Sequence, residues 1–142
     1  MRDALTVLKR IRKHRKQGAE HSFMEAERAR EAQQERVEAL ETKVAASRER
    51  EAGEEEACWV AHAAAWRMKM EVRLRTERGR LAERAEVSNE CRRDLTQASR
   101  EHRVVERIIE INDERRKLEE RRREDKKLDA MGTRRWKRKG VS

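Results

Sequence analysis

Residues of the types that carry chemistry are scattered along this sequence, and few have a useful spacing. Cys58 and His62 are four residues apart, which can place two metal ligands on one helix face, but no second pair completes a four-ligand site. The other histidines are isolated, no glycine-rich phosphate loop is present, and no serine or cysteine has an evident base. We therefore predict that the protein is not an enzyme and has no catalytic residues, no metal site and no cofactor.

The composition favours long helices. Charged side chains make up 47% of the 142 residues and hydrophobic residues only 35%, whereas a domain with one large core needs roughly half of its residues apolar. The chain has no proline and five glycines, so it lacks the turn residues that sheet folds require. Intrinsic disorder is the alternative. No segment approaches the roughly 20 apolar residues of a membrane span, which predicts a soluble cytoplasmic protein whose Cys58 and Cys91 are free thiols.

Heptad spacing decides between helix and disorder. From Phe23 to Ser47, residues at alternating intervals of three and four form a weak seam, with Arg30 and Gln33 as polar members. A second stripe, between Leu74 and Ile109, follows later in the sequence, and neither stripe can be buried by its own helix alone. We therefore predict an all-α fold, a long two-helix antiparallel coiled-coil hairpin. A homodimer or larger oligomer is the alternative. The second stripe has a stricter register, at Leu74, Leu81, Ser88, Leu95, His102 and Ile109, with Cys91, Ala98 and Val105 between the later members.

Two further apolar stripes lie outside these registers. Leu5, Leu8 and Ile11 form a stripe of spacing three near the start of the chain. A second stripe widens the apolar face between residues 104 and 118, and we expect it to be the strongest packing site in the chain. Its members are Val104, Ile108, Ile111 and Leu118.

Glycines and charge runs set the expected boundaries of a single hairpin domain. Gly53 stands among glutamates, and a glycine in a helix interior costs about 1 kcal/mol relative to alanine. The first arm is therefore predicted over about 4–52, and the bend and tip over about 53–66. The second arm is predicted over about 67–131, because Gly132 is a plausible helix end, and a basic tail follows over 132–142.

Positive charge is concentrated at both ends of the sequence. Residues 1–17 contain seven basic residues and one acidic residue, and residues 114–142 contain thirteen basic and six acidic residues. A hairpin would bring these segments together as one basic end that attracts an acidic partner. Nucleic acid is one such partner, because the basic tail contains Trp136, although no recognition module is visible. Trp59 and Trp66 share a helix face near the bend, where core packing and an exposed contact patch are both open.

The C-terminal third resembles a known family. Residues 114–136 (ERRKLEERRREDKKLDAMGTRRW), with Lys126, Lys127, Leu128 and Asp129 as the closing element, are similar to the end of the FliJ and YscO stalk proteins of bacterial type III export systems. The opening segment from Leu5 to Arg12 resembles the start of these proteins. The final basic and aromatic residues look more like YscO, which favours an injectisome.

The resemblance implies a function and a set of partners. A member of this family is the central stalk of the export apparatus, inserts the end that carries both termini into a hexameric export ATPase, promotes its assembly and activity, and links it to the export gate. Trp59 and Trp66 would contact the gate, and secretion chaperones are possible further partners. The implied location is the cytoplasmic face of the inner membrane. A basic nucleic-acid-binding coiled coil and a purely structural oligomer are the alternatives. The implied ATPase contacts are Arg12, Lys13, Arg115, Arg122, Lys126 and Lys127.

Overall fold

The protein, described by a computed structural model over residues 2–53 and 56–140, consists of two long helices. Helix α1 comprises Arg2–Gly53 and helix α2 comprises Ala57–Gly140. They pack against each other as an antiparallel hairpin, which confirms the predicted fold class. Immediately before α2, the carbonyl of Glu56 accepts a hydrogen bond of 3.1 Å from the Val60 amide and starts the helical pattern. Within the described residues, neither helix contains a stretch long and apolar enough to cross a bilayer.

The seam predicted for α1 is confirmed. Each of its positions between Phe23 and Ser47 is buried or half-buried, including the polar members Arg30 and Gln33. Val37 and Leu40 form the main apolar cluster with Leu74 of α2, and Met70 and Leu81 pack against it. The predicted register of α2 is also confirmed, since every one of its nine members from Leu74 to Ile109 is buried or half-buried.

The chain divides into two compact units. The central unit is His14–Ser99, and the terminal unit combines Met1–Lys13 with Arg100–Ser142. Ion pairs join α1 to α2 within each unit. The central unit has Arg48 with Glu71 at 2.9 Å and Arg78 with Glu41 at 2.8 Å. In the terminal unit Lys9 lies 3.6 Å from Glu106, and Arg12 pairs with Glu101.

Two predicted boundaries were wrong. Residues 57–66, predicted as part of the bend, are the first turns of α2, because five alanines in this stretch favour helix and Val60 and Ala63 are already half-buried. Gly132 does not end α2, which continues through the predicted tail to Gly140. No described glycine has a positive φ. The cations in the last turn of α2 interact favourably with the negative, C-terminal end of the helix dipole.

The two accessory stripes do not pack as predicted. In α1 the seam runs through Leu5, Lys9 and Arg12, so Leu8 remains 36% exposed and Ile11 46% exposed. In α2 the expected packing site between residues 104 and 118 is open, and Val104 is 59% exposed. A pair of helices buries one narrow seam on each partner, and residues beside that seam need a third element to cover them.

Candidate functional site

The last part of α2 is a single exposed helix. Lys9 of α1 lies opposite Glu106, so α1 begins at about the level of residue 113 of α2. Every residue from 117 to 140 is exposed, and this segment, called here the C-terminal extension, is about 36 Å long at the helical rise of 1.5 Å per residue. Its side chains are therefore available to a partner on all sides of the helix.

Five of the six cations implied as ATPase contacts are exposed in the terminal unit. No ion pair links these five to a carboxylate within the described ranges 2–53 and 56–140. Arg12 differs, because it is half-buried in the seam and its guanidinium pairs with Glu101. The structure therefore places Arg12 beside the exposed group rather than within it. The exposed members are Lys13 of α1 and Arg115, Arg122, Lys126 and Lys127 of α2.

The terminal unit carries a large excess of positive charge. Residues 1–13 and 100–142 together contain 21 basic and 11 acidic residues. Residues 134–139 contribute five of the cations without any carboxylate, and Trp136 among them is 75% exposed. Such a field attracts acidic surfaces and is screened over about 8 Å at physiological salt.

The two tryptophans near the start of α2 are exposed. Trp59 is 58% exposed and Trp66 is 38% exposed, which favours the contact patch over core packing. Trp66 lines an open groove of about 500 Å³ between the helices of the central unit. Lys43 and Arg50 of α1 and His62 of α2 also line this groove. An indole beside two cations can hold an apolar side chain that is flanked by acidic groups.

A polar layer inside the seam of the central unit was only partly foreseen from the sequence. The Gln33 side-chain amide donates to the Glu77 carbonyl at 3.0 Å and to the Glu77 carboxylate at 2.5 Å. The hydrogen bond from Gln33 lowers the pKa of Glu77. Likewise, Ser88 donates to Glu27, which lowers the pKa of Glu27. The seam position of Glu77 could have been found, because it lies three residues after Leu74 in the α2 register.

The thiols and histidines form no site within the described part of the chain. Cys58 is exposed and Cys91 is half-buried, and both are free thiols. Cys58 and His62 lie one helical turn apart at the start of α2, but no group of three potential ligands is found among residues 2–53 and 56–140.

These features define a class of protein: a helical coiled-coil hairpin with a basic single-helix extension and an exposed aromatic pair. The family model described as Flagellar FliJ protein matches residues 1–141, so the chain belongs to the FliJ family, as its closing residues predicted. Proteins of this family are non-enzymatic stalk components of the type III export apparatus in the cytoplasm. The interpretation of the final segment as YscO-like has no counterpart in this match. No curated protein and no solved structure matches the chain.

Proposed function

We propose that this protein binds the hexameric ATPase of the type III export apparatus through its terminal unit, promotes the assembly and activity of that ATPase, and links it to the export gate. Its place would be the cytoplasmic face of the inner membrane, held there by its partners. Secretion chaperones are further partners in this proposal.

The main support for the ATPase contact is the set of exposed cations in the terminal unit. No ion pair with another described residue engages these cations, so their charged groups are available to the carboxylates of a partner. They are Lys13, Arg115, Arg122, Lys126 and Lys127. Exposed charges keep their hydration until a partner approaches, and oppositely charged surfaces then steer the association. Arg12 belongs to the proposed contact as well, with its guanidinium shared with Glu101.

Charge reversal tests the ATPase contact. The substitution pair Lys126→Glu and Lys127→Glu lies in the C-terminal extension, where it should leave the hairpin folded. We expect ATP hydrolysis by the partner ATPase to lose its stimulation by this protein. The matched control is Arg28→Glu with Arg84→Glu, which makes the same change in net charge at exposed positions of the central unit. Equal stimulation by the Lys126 and Lys127 variant and by the natural protein would contradict the proposal.

The proposed contact with the export gate rests on the exposed tryptophans. Trp59 and Trp66 lie two helical turns apart on one face of α2, and tryptophans of this kind often dominate the binding energy of an interface. The cations that line the groove beside Trp66 favour an acidic segment of the gate protein as its partner.

Alanine substitution separates this contact from the ATPase contact. Trp59→Ala with Trp66→Ala should abolish binding to the purified cytoplasmic domain of the gate protein in a pull-down while leaving ATPase stimulation intact. Met68→Ala with Val72→Ala is the control, because these side chains are 63% and 62% exposed on the same helix. Loss of gate binding in both variants, or in neither, would count against a specific aromatic contact.

The basic end of the C-terminal extension favours a second candidate function, nucleic-acid binding. Trp136 is 75% exposed among five cations at residues 134–139, an arrangement that suits phosphate contact together with base stacking. The test is binding to a labelled single-stranded oligonucleotide at several salt concentrations. A steep fall of affinity with salt that disappears in Trp136→Ala would support this function over a purely structural role.

A further inference from the structure

The terminal unit exposes an apolar surface beside its seam, and no contact proposed above uses it. Four aliphatic side chains form this surface, which we call the lateral face. They are Leu8 and Ile11 of α1, which are 36% and 46% exposed, and Val104 and Ile108 of α2, which are 59% and 41% exposed.

The heptad phase places all four residues on one side of the helix pair. Leu8 and Ile11 directly precede the seam residues Lys9 and Arg12, and Val104 and Ile108 directly precede Val105 and Ile109. In two antiparallel right-handed helices that face each other, the residue before each seam position points to the same side of the pair. The four side chains therefore share one surface.

Ion pairs across the seam set the levels of these residues. Lys9 lies 3.6 Å from Glu106, and Arg12 pairs with Glu101. This register brings Leu8 level with Ile108 and Ile11 level with Val104. The lateral face is thus a compact group of four aliphatic side chains rather than two separate strips.

The apolar surface continues along α2 with helical spacing. Ile111 is half-buried and Leu118 is 48% exposed, so Val104, Ile108, Ile111 and Leu118 follow one side of α2 over about 21 Å. A surface of this length and width fits an amphipathic helix of about four turns that lies along the hairpin, as helices do in bundles and in helix-in-groove complexes.

The charge around the lateral face indicates what the polar side of such a helix must be. Arg115 lies on the same side of α2 as Ile108, one heptad further along, and the terminal unit as a whole has ten more basic than acidic residues. A second copy of this chain would bring an equal positive charge against it, which like-charge repulsion opposes. An acidic helix gains from the same field.

We propose that the lateral face binds an amphipathic helix with an acidic polar side, supplied by another protein, to form a three-helix bundle with the terminal unit. The helix covers Leu8, Ile11, Val104 and Ile108 with its apolar side and places carboxylates near the surrounding arginines. This inference does not depend on the proposed ATPase contact.

Binding of a synthetic peptide to the full-length protein tests the inference without any natural partner. The probe is a labelled peptide of about 18 residues with blocked ends, leucine at positions i, i+3, i+4 and i+7 of each repeat, and glutamate and alanine elsewhere. The reference peptide has the same composition in scrambled order, so its net charge is identical. Fluorescence anisotropy at physiological salt should show tighter binding of the periodic peptide, because only this peptide presents a continuous apolar side.

Substitutions on the lateral face should weaken that binding selectively. Leu8→Gln with Ile108→Gln should lower affinity for the periodic peptide by about tenfold or more, because two apolar contacts are lost. Val72→Gln with Val87→Gln is the matched control, since these valines of the central unit are 62% and 51% exposed, and it should bind as the natural protein does. Circular dichroism checks that each variant remains helical.

Three results would overturn the inference. Equal affinity for the periodic and scrambled peptides would reduce the interaction to charge alone. Unchanged affinity in the Leu8 and Ile108 variant would place the peptide elsewhere on the chain. A dimer of the natural protein in analytical ultracentrifugation that is absent in this variant would assign the lateral face to a second copy.

Discussion

At the scale of single residues, the seam of the central unit joins an apolar cluster to a polar layer. Gln33 is 1% exposed and donates to Glu77, which is 8% exposed. Ser88 is 1% exposed and donates to Glu27. Such pairs stabilise little compared with an apolar pair of the same shape. A mismatched register would leave the buried Gln33 and Ser88 side chains without these partners, whereas Glu27 and Glu77 would keep Arg30 and Arg80 of their own helices. The polar layer therefore favours one alignment of α1 against α2.

The polar layer predicts an acid-sensitive stability. The pKa values of Glu27 and Glu77 are lowered from the ordinary value of 4.5, each mainly by a side-chain hydrogen bond. A lowered pKa in the folded state means that the ionised carboxylate contributes stability above pH 4.5 and that this contribution is lost as the pH falls below that value. When the pH is lowered from about 7 to about 3, the melting temperature of the Glu77→Gln variant should therefore fall by less than that of the natural protein.

Thermal melts followed by circular dichroism at several pH values measure this difference. Glu83→Gln is the control, because Glu83 is exposed on α2 outside the seam. If Glu83→Gln and Glu77→Gln reduce the acid sensitivity equally, the effect belongs to net charge and not to the polar layer.

The same pair predicts a difference between single and double substitutions. Gln33→Leu alone removes the donor that α1 supplies to the largely buried Glu77 carboxylate and leaves that carboxylate with Arg80 of its own helix, so the melting temperature should fall. Gln33→Leu with Glu77→Leu replaces both polar groups by apolar ones and should melt above the single variant, close to or above the natural protein. A double variant that melts below Gln33→Leu alone and below Glu77→Leu alone would show that the pair stabilises the seam outright. Such a loss would contradict the interpretation of the layer as a device for register.

At the scale of helices, the features that could be predicted from the sequence are those that repeat with the heptad period. The α2 register from Leu74 to Ile109 and the α1 seam from Phe23 to Ser47 were predictable because burial of one side repeats every seven residues. The helix ends were not. Gly53 ends α1, whereas Gly132 lies inside α2, and a Cβ at either glycine would meet no atom within 4 Å, so packing does not distinguish them. The helix start at Ala57 was missed because the alanine-rich stretch was assigned to the bend.

The exposure of the proposed ATPase contacts was predictable to a similar extent. Clusters of like charge are visible in the sequence, and five of the six chosen cations are indeed exposed. Arg12 could not be placed, because its half-buried position depends on the phase of α1 against α2. The stripe of Leu5, Leu8 and Ile11 suggested a phase centred on Leu8, whereas the observed seam is rotated toward Leu5, Lys9 and Arg12. The observed pairings of Lys9 with Glu106 and of Arg12 with Glu101 show that Lys9 and Arg12 take seam positions. Leu8 and Ile11 are left outside the seam.

The difference between paired and unpaired parts of α2 predicts different effects for two glycine substitutions. A Cβ added at Gly79 or at Gly132 meets no atom within 4 Å, so alanine should favour helix at either position by about 1 kcal/mol. Gly79→Ala lies where α2 pairs with α1 and should raise the melting temperature. Gly132→Ala lies in the C-terminal extension and should raise helical content without moving the main transition. A shift of that transition by Gly132→Ala would show that the extension unfolds together with the paired helices.

At the scale of the whole molecule, stability and partner binding draw on different parts of the chain. Among the residues whose burial the structure describes, the buried positions all lie between Gln33 and Val105, whereas the exposed cations proposed to bind the ATPase lie mainly in the C-terminal extension. A helix without a packing partner gains little stability from its length alone.

Removal of residues 117–142 should therefore leave the melting temperature of the hairpin nearly unchanged, lower the helical signal, and abolish stimulation of the partner ATPase. The variant with Lys126→Glu and Lys127→Glu keeps the full length of α2 and distinguishes loss of charge from loss of the helix itself. If the truncated chain melts at a much lower temperature, the C-terminal extension contributes to the stability of the fold. Its exposed cations could then not be assigned to partner binding alone.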